Sequence, residues 1–231
     1  MNVIVRNIPN TITCINLIAG VMAIIFLTGE PNPAQSWQPW MSAAICIAVA
    51  AVADFCDGLA ARALKAYSNL GKELDSLCDL VSFGVAPAIM VYKCFAADAT
   101  TAPISYLAIL IAVCGALRLA RFNIDDRQTT SFIGLPIPAN ALFWIGFTAM
   151  FYANPAMLGR IPAAIVIVVE SLLMVLPVPL VSLKFKNLRW RGNARRWLTI
   201  VAAVVCVSTM GVPGLMWTIV AYVLISQMPV K

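Results

Sequence analysis

Asp54, Asp57, Asp75 and Asp79 are four of the ten acidic residues in a chain of 231, and they crowd into about 26 positions of a polypeptide that is 61% hydrophobic. Positions i, i+3, i+4 and i+7 of a helix share a face, so Asp54, Asp57, Gly58 and Ala61 form one stripe. Gly71, Asp75 and Asp79 form a second. A short connection over about 63–70 makes the two helices antiparallel neighbours and turns two carboxylates from each toward a common centre. A carboxylate in a membrane-buried helix costs roughly 2.5–3.5 kcal/mol, so a cation belongs among the four. With no histidine in the chain, the donor set suits hard divalent ions, Mg²⁺ or Mn²⁺. Two such ions balance four charges, and a pair about 3.5–4 Å apart holds the attacking and leaving oxygens of a phosphoryl transfer. Gly58 and Ala61 leave room for a ligand to approach the backbone, and Arg62 offers a bidentate fork for phosphate. Helix capping and surface pairing account poorly for Asp54 and Asp57, because a carboxylate near a helix C-terminus opposes the macrodipole.

The elements that carry these residues belong to a membrane. Only 11% of the residues are charged, too few to clothe a soluble domain of this length. Continuous apolar runs, rather than alternation, argue against a β-barrel. The expected class is all-α, a polytopic membrane bundle of about eight transmembrane helices near 10–28, 40–61, 72–93, 103–121, 137–153, 161–181, 196–212 and 214–229, several of them as long as a hydrocarbon core requires and the last two short. The last two are expected to form a hairpin at Gly211-Val-Pro-Gly214. With no repeat or low-complexity linker, 1–231 reads as a single domain, with a catalytic core over about 6–182 and a terminal hairpin over about 196–229.

Charge distribution orients the bundle. When Lys and Arg are assigned to alternating sides, all sixteen fall on one side except Lys93 and Arg160. The positive-inside rule makes that side cytoplasmic, puts both termini there, and places the carboxylates at the cytoplasmic face of the inner, or cytoplasmic, membrane. The basic run from Lys184 to Arg196 reads as a stop-transfer and anionic-lipid anchor, so the net charge of +6 reflects topology and not nucleic-acid binding. Cys14, Cys46, Cys56, Cys78, Cys94, Cys114 and Cys206 show no CxxC pair, which indicates neither a zinc site nor a disulfide framework. The lack of histidine excludes Ser-His-Asp chemistry. No signal-type cleavage site follows the first residues, so no processing is expected.

The run Asp54-x2-Asp57-Gly58-x2-Ala61-Arg62-x8-Gly71-x3-Asp75-x3-Asp79 resembles, without a gap, the signature of the CDP-alcohol phosphatidyltransferase family. The resemblance implies a membrane-embedded helical bundle, usually a homodimer, in which two divalent ions activate the pyrophosphate of a CDP-linked lipid for attack by an alcohol, with CMP leaving. By that likeness Asp54, Asp57, Asp75 and Asp79 are metal ligands and Asp79 is also the general base. Gly58, Arg62 and Ser68 contact the CDP-lipid head group, with Ala61, Gly71 and Asn10 beside them; Ser68 also reads as an ordinary turn residue.

The segments Ile8-Pro-Asn10-Thr-Ile-Thr13, Gly71 to Pro87, Arg118-Leu-Ala-Arg121-Phe-Asn123 and Phe132-Ile-Gly-Leu-Pro-Ile-Pro138 resemble the phosphatidylserine synthase branch, which implies CDP-diacylglycerol and L-serine as substrates. Cys78 stands where a smaller residue such as Ala is expected. Serine needs a cationic partner near the metals, and Arg118 and Arg121, one helical turn apart, are the candidates. Both also read as arginines snorkelling to the interface. Asn123, Ser82 and Asn10 either hold a head group or cap a helix. Two rivals stay open: transfer to another alcohol, such as glycerol 3-phosphate or an inositol phosphate, and an ion-coupled transporter, since intramembrane carboxylates also mark ion pathways.

Overall fold

The computed structural model describes residues 3–29, 38–96, 100–124, 132–155, 158–183, 190 and 192–228. Arg127, Lys184, Lys186, Arg189, Arg191 and Lys231, which entered the charge assignment, lie outside the described residues, as does the side chain of Arg6. Eight helices follow in order: α1 Val3–Thr28, α2 Pro39–Ala63, α3 Asn69–Ala96, α4 Ala102–Ile124, α5 Ile137–Ala153, α6 Arg160–Val175, α7 Ala194–Met210 and α8 Gly214–Ser226. The all-α expectation holds. Among the described residues the first four are long and apolar enough to cross a membrane. The others, of 17, 16, 17 and 13 residues, fall short of the roughly 20 that a full crossing takes.

Proline and glycine set most helix ends. Pro39 starts α2, where its missing N–H is no loss. α6 stops at Val175, earlier than the expected 181, because Pro177 and Pro179 hold the chain extended. There Pro179–Leu180 pairs antiparallel with Phe132–Ile133 in a two-residue ladder. Gly134 makes that junction possible: it sits at φ +79°, and an added Cβ would lie 2.5 Å from the Met174 carbonyl oxygen. The expected hairpin is present, with Gly211 at φ +64° between α7 and α8.

α3 departs from its expected bounds. It begins three residues earlier, at Asn69, because Ser68 caps it by accepting a hydrogen bond from the Gly71 N–H at 2.9 Å. It also contains a π-helical turn over Leu80–Val85, directly after Asp79. Widening a helix there leaves backbone acceptors to satisfy, and Asn140 of α5 donates to the Phe83 carbonyl at 3.3 Å while Trp144 donates to Asn140 at 2.8 Å. α5 is buried along most of its length, with Leu142 and its last residues exposed, and it packs into the core where Trp144, Phe147, Phe95 and Phe83 are enclosed. By contrast α1 and α2 turn Ile18, Val52 and Phe55 outward, each more than 60% exposed.

Candidate active site

α1 packs against both α2 and α3. α1 and α3 approach closely at Gly20, whose Cβ, if present, would lie 2.2 Å from Ser82 Oγ and 2.8 Å from Ser82 Cα. That contact sets the depth at which α1 lies against the acidic stripes, and the Ser82 hydroxyl donates to the Asn16 carbonyl at 3.0 Å.

Carboxylate oxygens of Asp54, Asp57 and Asp75 come within 4.8 Å of one another. Asp57 is buried, and its Oδ2 accepts from the Thr13 hydroxyl at 2.6 Å. Asp79, also buried, stands outside the trio, with its Oδ1 accepting from Asn16 Nδ2 at 3.0 Å. Asp75 Oδ1 is buried without any partner. The charged neighbours that bear on Asp54 and Asp75 are other carboxylates, not Lys or Arg, whereas Asp79 also interacts with the Arg118 guanidinium. Pairing with a basic side chain, the bland account of these acids, is therefore absent from the trio among the described residues. The three converging carboxylates, with an orphaned oxygen and no basic side chain paired to them among the described residues, fit a hard divalent cation.

Beside the trio, the space over Gly58 is open, with Arg62 Nη2 at 3.9 Å from the position of an added Cβ. Arg62 is exposed and Ala61 half-buried, so the guanidinium stands over the face of Gly58 where α2 carries no side chain. Gly71 has a different reason to be glycine: a Cβ there would meet Asn10 Oδ1 at 2.9 Å and Ser68 Oγ at 3.0 Å. Asn10, Ser68 and Gly71 thus join the starts of α1 and α3 at the same end of the bundle. Ser68 serves as a cap, whatever else it touches.

The four candidates for the acceptor side separate clearly. Ser82 is fully buried against α1 and spent on the Asn16 carbonyl. Asn123 donates to Ser76 Oγ at 2.9 Å, and its carbonyl takes Lys72 Nζ at 2.7 Å, tying α4 to α3. Arg121 donates to the Val175 carbonyl at 2.8 Å and closes the C-terminus of α6. Arg118 alone of the four is buried with no hydrogen-bond partner among the described residues; its guanidinium lies 5.2 Å from the Phe122 ring centroid, and Asp79 is within electrostatic reach. Thr13 and Asn16, which hold two of the acids, had no assigned role in the sequence reading. Their signal was there, two polar residues at i, i+3 in an apolar helix.

The model of the CDP-alcohol phosphatidyltransferase family matches residues 6–183. Proteins named CDP-diacylglycerol--serine O-phosphatidyltransferase are similar to this chain. The Methanocaldococcus jannaschii protein is 34% identical over 206 residues, 89% of this chain and 85% of its own length. That of Bacillus subtilis is 40% identical over 153 residues, 66% and 80% of the two chains. The Mycobacterium leprae protein is 40% identical over 151 residues, which are 62% of this chain but 47% of that protein, so the chain spans about half the length of this relative. A family match over most of the length, together with the spaced acids of its signature converging where α2 and α3 meet α1, makes this chain a member of the CDP-alcohol phosphatidyltransferase family.

Proposed function

We propose that the protein transfers the phosphatidyl group of CDP-diacylglycerol to the hydroxyl of L-serine, giving phosphatidylserine and CMP. The observation that carries this reading is the carboxylate trio within 4.8 Å, with no basic side chain paired to it among the described residues, beside Gly58, where only Arg62 Nη2 approaches within 4 Å of an added Cβ. Serine as the acceptor rests on the names of the similar proteins. Asp54, Asp57 and Asp75, with Asp79 next to them, would hold two divalent ions, Mg²⁺ or Mn²⁺, and such ions supply charge neutralisation at a pyrophosphate. Arg62 grips the diphosphate, and Gly58 lets the nucleotide lie against α2. The outward apolar face of α2, with Phe55 and Leu59 exposed, leaves the acyl chains in lipid.

Asp79 takes the proton of the serine hydroxyl, and its Oδ2 is the oxygen left for this, since Oδ1 is held by Asn16. The serine oxygen bonds to the lipid-proximal phosphorus as the bond from that phosphorus to the bridging oxygen breaks, and CMP leaves with the electron pair. Direct displacement needs no covalent enzyme intermediate. The orientation inferred from the basic side places the site at the cytoplasmic face of the inner membrane, where serine arrives and CMP departs. A homodimer belongs to the same reading, and cross-linking in native membranes checks it.

The test is CMP release from CDP-diacylglycerol by purified protein with Mg²⁺ or Mn²⁺, comparing serine, glycerol 3-phosphate and inositol phosphate. Release with serine well above water supports the reading. No excess over water, or a larger rate with a phosphorylated alcohol, refutes the acceptor assignment.

Arg118 is the residue for the serine carboxylate, being the buried guanidinium whose donors have no hydrogen-bond partner among the described residues. Lysine keeps the charge but loses the planar fork. Arg118→Lys is expected to raise KM for serine roughly 10- to 100-fold, the worth of a charge-assisted hydrogen bond, with KM for CDP-diacylglycerol little changed. Steady-state kinetics with each substrate varied in turn checks this.

A further inference from the structure

We propose that Asn16 is a positioning residue for Asp79: it fixes one carboxylate oxygen so that the other meets the acceptor hydroxyl. The inference rests on the reading of Asp79 as the proton acceptor and extends it to a helix that carries none of the four acids. Asn16 is fully buried, its Nδ2 stands 3.0 Å from Asp79 Oδ1, and its own Oδ1 is buried without a partner. An ionised carboxylate only accepts, so the amide has to turn its NH₂ toward Asp79, and the amide oxygen is orphaned by that choice. Most buried side-chain polar atoms have a hydrogen-bond partner. Asn16 satisfies the end that faces the acid.

The side chain is itself held. Ser82, three residues beyond Asp79, donates to the Asn16 carbonyl at 3.0 Å, and Gly20, one turn along α1, allows the two backbones to come that close. Asn16, Asp79 and Ser82 are therefore one linked unit across α1 and α3. Thr13, one turn earlier on the same face, holds Asp57 of α2 in the same manner at 2.6 Å. The two contacts divide the work. Thr13 orients a member of the carboxylate trio, whereas Asn16 orients the acid outside it.

The test compares Asn16→Leu with Thr13→Val in detergent-purified protein. Readouts are kcat, KM for the alcohol, and Mn²⁺-dependent binding of CDP-diacylglycerol followed by the rise in melting temperature. Asn16→Leu is expected to lower kcat about 30- to 100-fold, with Mn²⁺-dependent lipid binding within about threefold of wild type. Thr13→Val is expected to weaken that binding instead. Should the Leu variant not purify as a monodisperse species, Asn16→Ala, which is smaller and cannot clash, takes its place and is expected to lose the same activity because it has no side-chain donor. A kcat within about threefold of wild type, or a fall in kcat matched by an equal loss of metal-dependent binding, overturns the proposal. The comparison uses whichever alcohol releases CMP with wild type, so failure of serine alone refutes the acceptor and leaves the result on Asn16 standing.

Discussion

Asp79→Asn is expected to abolish serine-dependent CMP release, a loss of at least about 10³-fold, while the protein keeps its fold. Asn has the size of Asp and can still meet Asn16, so the packing of α1 on α3 survives the change. What disappears is the only group at that position able to take a proton, and general-base catalysis is worth roughly 10²–10⁴-fold. Removing a negative charge also weakens attraction for the divalent ions, which saturating Mn²⁺ offsets. The measurement is CMP release by wild type and variant across a Mn²⁺ titration, with circular dichroism and size-exclusion profiles to verify folding. Substantial turnover at saturating metal would remove Asp79 as the base and leave it a ligand alone.

Gly20→Val is expected to disable the enzyme from a position that touches no substrate. Its Cβ would fall 2.2 Å from Ser82 Oγ and 2.8 Å from Ser82 Cα, and a backbone atom cannot step aside as a flexible side chain does. α1 would have to lift from α3, at a cost on the order of 1–3 kcal/mol for such overpacking. That displacement breaks the contact from Ser82 to the Asn16 carbonyl and pulls Asn16 from Asp79. The expected outcome is a lower melting temperature together with a fall in kcat of about 100-fold or more, since misplacement by about 1 Å costs on that order. Gly20→Ala should show the same effects in smaller measure. A Gly20→Val protein with wild-type turnover would show that the depth of α1 does not govern the site.

Much of this was legible in the residues. Eight letters at fixed spacing named two helical stripes, and Asp54, Asp57 and Asp75 do converge. The reason is elementary: helical periodicity dictates which residues share a face, and a short connection forces neighbouring helices together. Apolar runs likewise showed the all-α membrane class, because lipid leaves the backbone no partner but itself. Helix ends were less legible. α3 begins at a serine cap and α6 ends before two prolines, and hydropathy registers neither.

Tertiary contact decided the rest. Arg118 and Arg121 look alike one turn apart, yet one is buried with no hydrogen-bond partner among the described residues and the other closes α6. Ser82 and Asn123, plausible for a head group, are spent on helix contacts. Thr13 and Asn16 hold Asp57 and Asp79 from residues 44 and 63 positions distant, separations over which no local spacing rule operates. The sequence by itself determined the acids, their faces and the membrane around them, because those follow from local geometry and composition. Which polar groups are free for a ligand depended on how α1, α3, α4 and α6 meet, since a donor is free only when no neighbouring helix has claimed it.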